Sequence, residues 1–173
     1  MSVVGRSGTA RVWVGLVSVG CGLGAGYVLG RHDLRGVSML DVFPLTVALV
    51  PFAAELVLVF GLSRLANRGG GGWAAAAVLL MVAMGAGMAT FAHHEITSCA
   101  GGFRCVAGVG YPRGEAARTA AVAGLAWGCQ AGLMAVFSGE DLLRVGAGWI
   151  GSCFAVVACL LGGAALSQVH LWG

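Results

Sequence analysis

Residues 42–62 read VFPLTVALVPFAAELVLVFGL, an apolar run with one carboxylate, Glu55, set deep inside it and prolines at 44 and 51. A bilayer core about 30 Å thick is crossed by roughly 20 helical residues, so this run is long enough to span. A charge at such depth costs roughly 2.5–3.5 kcal/mol on insertion scales. Glu55 is therefore expected to be protonated, paired or facing a wet cavity. Pro51, one turn earlier, removes a helical hydrogen bond and is expected to kink the segment. The remaining chain must supply helices that shelter the acid.

Composition supports the same class. The 173 residues are 58% hydrophobic and 10% charged, with a mean hydropathy of +0.90, whereas soluble domains carry about 25% charged residues. So few charges cannot hide so much apolar side chain from water, and lipid must cover it. All ten cationic residues are arginine, which excludes Schiff-base and P-loop lysine chemistry. The net charge of +3 is scattered, with no basic run, so no nucleic-acid partner is expected. No motif implies a cofactor.

Working outward, further apolar runs cover 12–30, 73–92, 116–137 and 145–171, with 41–62 as the second. The expected fold is all-α: a polytopic transmembrane bundle of five spans, four being the alternative, in one membrane domain over 1–173 with no soluble domain. The first run follows Arg6 and Arg11 and could be a signal peptide. Its length and the lack of an A-x-A site favour a first span. Arginines in short loops set orientation. With the N-terminus inside, Arg6, Arg11, Arg64, Arg68 and Arg144 lie inside, and Arg31, Arg35, Arg104, Arg113 and Arg118 outside. That count is a draw. The arginines before the first span, and the cysteine-bearing loop that would then face outward, favour an N-terminus on the cytoplasmic side.

Three constellations could carry chemistry. A carboxylate beside a proline kink is what ion- and proton-coupled transporters use, although Glu55 has neither a second acid nor a base in the spans. His32, His93, His94 and His170 fall at the outer ends of segments, beside Asp33 and Glu95. Histidine with carboxylate suits zinc, but no pair has a single-helix ligand spacing. His32, His93, His94 and Glu95 are therefore weak metal candidates, and no metal is expected. Cys21, Cys129, Cys153 and Cys159 lie in the spans and read as small packing residues. Cys99 and Cys105 share one loop with glycines between them, so an oxidising compartment would join them in a disulfide.

The small-residue repeats are the clearest pattern. Gly22, Gly26 and Gly30 recur every four residues in the first span, and Gly124, Gly128 and Gly132 in the fourth. Spacing of four puts each set on one helix face, where close crossing is possible. These faces would pack inside the bundle or dock a partner or second copy. Gln130 lies beside the second stripe and is a candidate hydrogen-bond donor to Glu55. Trp13, Trp73, Trp149 and Trp172 stand near segment ends as interface anchors, and Trp127 packs mid-helix. No serine or cysteine nucleophile with base and orienting acid is present.

Over residues 12–137 the layout resembles tetraspan membrane organisers of the MARVEL type. It shares four spans, short ends and a paired-cysteine loop between the third and fourth. The likeness is one of topology, and the fifth run departs from it. The expected function is non-enzymatic: helix–helix contact as an accessory subunit of a larger membrane complex or as a membrane-organising scaffold. The bilayer and other membrane subunits, or the chain itself, would be its partners. A small transporter or channel using Glu55 is the alternative, and an outer-face metal-binding or redox membrane protein the third.

Overall fold

The computed structural model describes residues 8–31, 49–68, 71–98, 113–138 and 145–169. Every element in these ranges is a helix. Along the chain they are α1 (Thr9–Arg31), α2 (Leu49–Asn67), α3 (Gly71–Ser98), α4 (Arg113–Ser138) and α5 (Val145–Val169). The chain is thus an all-α bundle of five helices. Among the described residues four segments are long and apolar enough to cross a membrane: Thr9–Arg31, Gly71–His94, Ala116–Ser138 and Gly148–Val169. This makes it an integral, multi-pass membrane protein. Helix is what lipid demands, since a spanning segment must satisfy its backbone polar groups internally.

The helix ends differ from the expected ones in an informative way. α2 begins at Leu49 among the described residues and continues five residues past the expected end at 62, to Asn67. The amide of Asn67 donates to Ser63 O at 2.9 Å and secures that last turn. α3 likewise runs on to Ser98 rather than ending near 92. His93, His94 and Glu95 consequently belong to a helix and not to a polar loop. No proline or glycine interrupts this stretch, and Thr97 Oγ1 donates to His93 O at 2.7 Å, reinforcing the final turns.

Alternate helices run in opposite directions. α1, α3 and α5 begin at one end of the bundle, where α2 and α4 finish. α1 lies parallel to α5, since Gly22, Gly26 and Gly30 meet Cys159, Leu160 and Ala164 in turn. α3 and α4 are antiparallel, with Gly85 against Gly124 and Met81 against Gly132. At the starting end, the Arg11 guanidinium donates to Val136 O at 2.6 Å and occupies a carbonyl of the last turn of α4.

α4 is the central helix, packed against each of the others. Its buried Cys129, Ala131, Leu133, Met134 and Ala135 occupy more than one face, as a helix surrounded by other helices requires. One apolar cluster joins Val14, Leu62, Ala66, Ala77, Met81 and Ala135, and a second joins Val59, Met84, Ala131 and Met134. α5, by contrast, turns Ile150, Phe154, Val157, Leu161 and Leu166 outward. In a bilayer those side chains face lipid, and their exposure here marks the solvent they need.

Candidate functional site

Pro51 and Glu55 both lie within α2, so the helix continues through Pro51. Proline is tolerated here because it is the third residue of the described helix, close to the first turn, where backbone N–H groups have no intrahelical partner. The side chains of 49–56 lie outside the described residues, Glu55 among them. Val59, Leu62 and Ala66 are 1%, 0% and 0% exposed, and by them α2 enters the bundle.

Gln130 reaches α5. Its amide nitrogen donates to Ser152 Oγ at 2.9 Å and approaches Cys153 Sγ at 3.5 Å, both on α5. The position beside Gly128 and Gly132 turns this side chain toward α5, while the expected bond from Gln130 to Glu55 falls on a side chain outside the described residues. Ser152 passes the chain on, donating to Trp149 O at 2.8 Å. The result is a polar clasp between α4 and α5.

The glycines of α1 lie against α5. A Cβ on Gly22 would stand 2.7 Å from Cys159 Cβ and 2.8 Å from Cys129 Sγ. One on Gly26 would strike the Leu160 carbonyl, and one on Gly30 would strike Ser167 Oγ and stand 2.9 Å from Ala164 Cα. The contact is reciprocal, since a Cβ on Gly163 would strike the Leu23 carbonyl and stand 2.8 Å from Tyr27 N. In α4, a Cβ on Gly124 would stand 2.5 Å from Gly85 O and 2.7 Å from Ala89 Cβ on α3. One on Gly132 would strike Ser18 Oγ and stand 2.6 Å from Met81 Sδ. Gly128 is looser, since a Cβ there would find its nearest neighbours at 3.8 Å, in ordinary van der Waals contact.

Sequence reasoning did not single out Gly85, Gly163 or Ser18, yet Gly85 faces Gly124, Ser18 faces Gly132, and Gly163 meets α1 at Leu23 and Tyr27, between the glycines of that stripe. The signal was available in small-x-x-x-small pairs, Gly85 with Ala89 and Gly163 with Ser167. Ser18, wholly buried, donates to Val14 O at 2.6 Å and contacts Met81 Sδ at 3.3 Å. It fits there because Gly132 opposite has no side chain.

The four described cysteines are free thiols. Cys129 and Cys159 are side-chain neighbours between α4 and α5, next to Gly22. Cys99 and Cys105 lie outside the described residues, as do His32 and His170. His93 and His94 are exposed on the last turns of α3. Among the described residues no group of three or more histidine, cysteine or acidic side chains is placed to hold a metal ion. Comparison with family models, characterised proteins and solved structures finds no match to this chain.

Proposed function

We propose that this chain is a non-enzymatic membrane protein that works through helix–helix contact, as an accessory subunit of a larger membrane complex or as a membrane-organising scaffold. One observation carries the reading, the destination of the polar groups in the spans. Ser18, Ser138 and Ser167 each donate to a carbonyl of their own helix, to Val14, Met134 and Ala164 respectively. Gln130 clasps Ser152. These groups serve packing; among the described residues the buried Thr119 hydroxyl alone is left without a partner. The glycine faces of α1 and α4 are occupied within the chain, so a partner would meet the broad outer faces of α3 and α5. Leu79, Val82, Phe154 and Leu161 stand out there. The reading places the N-terminus on the cytoplasmic side, consistent with Arg11, Arg64 and Arg68 at one end of the bundle.

Mild detergent extraction of the native membrane, followed by native mass measurement, tests this. A defined assembly of fixed composition is expected. A chain recovered alone or only with copies of itself would overturn the subunit reading. Proton or ion flux in liposomes, with and without Glu55→Ala, would then be the decisive measurement.

A further inference from the structure

Three exposed tryptophans mark one end of the bundle. Where α1, α3 and α5 begin, Trp13, Trp73 and Trp149 reach outward, 54%, 42% and 47% exposed. They come from three different helices and share one level, so together they ring this end. Trp127 lies mid-span, and among the described residues the other end carries no tryptophan. Tryptophan rings settle at headgroup depth, where an apolar body meets a wet polar edge.

The same end holds two exposed arginines, Arg64 in the last turn of α2 and Arg68 just beyond it. The Arg64 guanidinium lies 4.6 Å above the Phe60 ring, and that of Arg68 lies 4.5 Å above Trp73. Neither has an ion pair or side-chain hydrogen bond among the described residues. Arg11 nearby is different, being spent on the Val136 carbonyl. At the far end Arg31 is bonded to Tyr27 Oη at 2.9 Å. A guanidinium stacked on a ring is held in one plane, with its N–H edge left free for a bidentate acceptor. Phosphate is such an acceptor. Arg64 and Arg68 are one helical turn apart and thus neighbours.

We propose that Arg64, Arg68 and Trp73 form a headgroup site for an anionic phospholipid, at the junction of α2 and α3. The stacked arginines grip the phosphate while Trp73 fixes the depth of the junction in that leaflet. The sequence also brings Glu140 and Asp141 to this end, in the connection 139–144, outside the described residues. A net preference for anionic lipid therefore requires the two arginines to outweigh those acids. The site also bears on orientation, since the cytoplasmic leaflet is the anionic one. It breaks the draw in the arginine count.

The test uses the full chain in detergent micelles doped with phosphatidylglycerol or phosphatidylcholine, with retained lipid measured by native mass spectrometry. The expected result is preferential retention of phosphatidylglycerol, on the order of tenfold at low salt for two arginines near the surface, falling as salt is raised. Arg64→Gln with Arg68→Gln should abolish the preference, Arg64→Lys with Arg68→Lys should keep part of it, and Arg31→Gln with Arg118→Gln at the opposite end should leave it intact. Equal retention of both lipids by the wild-type chain overturns the proposal whatever the variants do. So does a preference that survives the double glutamine variant, or that is lost equally from the opposite-end pair. Inorganic phosphate competing as well as phosphatidylglycerol would show a free-anion site and overturn the lipid assignment.

Discussion

The α1–α5 contact and the entry of α2 into the bundle are made by opposite means. Along α1–α5 the helices meet backbone to backbone: Gly26 lies on the Leu160 carbonyl, Gly163 on the Leu23 carbonyl, and Gly30 against Ala164. α2 instead enters through side chains, Val59 and Leu62, which fill the spaces around Met81, Met84 and Met134. The difference follows from the solvent. Lipid tails are as apolar as leucine, so burying a side chain against another helix gains little over leaving it in the bilayer. Close approach gains dispersion along the whole contact and permits weak Cα–H···O contacts. The glycine contact should accordingly be the stronger, and the α2 contact the one that adapts.

The largest effect expected is from Gly26→Leu. The added side chain has no room beside Leu160, and the obstacle is backbone, which cannot turn aside. Roughly 3 kcal/mol of destabilisation follows, at the upper end of overpacking costs. Thermal or chemical unfolding in detergent would measure it, and a loss below about 1 kcal/mol would show that α1 and α5 are not in backbone contact. Next comes Leu62→Ala. Leu62 is fully buried between α1 and α3, and its removal leaves a cavity. The cost should sit near the low end of the range seen in water, roughly 2 kcal/mol, because lipid receives the lost methyls' counterparts in the unfolded state too. A cost exceeding that of Gly26→Leu would reverse the ranking of the two contacts.

Much of this was legible in the chain. Apolar run length gave the helices, since a span leaves the backbone no alternative to helix. The i, i+4 glycines at 22, 26 and 30 marked a close-packed face because small residues have few other uses at that spacing. What a single sequence could not supply was the identity of the facing helix. Gln130 illustrates this. Its polarity announced a hydrogen bond and pointed to Glu55, whose side chain lies outside the described residues; the bond to Ser152 follows from the rotation of α4, which places Gln130 against α5. Gly128 shows the converse. It shares the stripe of Gly124 and Gly132 and lies buried against α3, yet a Cβ there would find Gly85 Cα and Met81 O only at 3.8 Å, so spacing alone does not tell how tightly each glycine is held. The helix runs on through His93 and His94 past the end of the apolar run at 92, because hydropathy marks where lipid ends and nothing in that stretch breaks a helix.

A smaller effect is expected from Gln130→Leu, about 0.6 kcal/mol, the average for a hydrogen bond between spans. The value stays low because Ser152 keeps its bond to the Trp149 carbonyl when the amide is removed. If the loss instead exceeded 2 kcal/mol, Gln130 would have to hold a further buried group, and coupling to Glu55→Gln in a double-mutant cycle would identify it.

The smallest effect separates position from residue type. Gly87 lies exposed on α3 with no neighbour within 4 Å of where a Cβ would stand. In water, replacing a mid-helix glycine with alanine gains about 0.5–1 kcal/mol by removing backbone freedom from the unfolded chain. In a bilayer that freedom is already curtailed, since an unfolded span stays helical to satisfy its backbone. Gly87→Ala should therefore leave stability within about 0.5 kcal/mol of wild type, on the stabilising side. At Gly22 the same methyl would stand 2.7 Å from Cys159 Cβ, and Gly22→Ala should lower the unfolding midpoint. Parallel melts of the two alanine variants would check the contrast. Equal losses at both positions would mean that glycine matters in these spans for backbone freedom and not for approach.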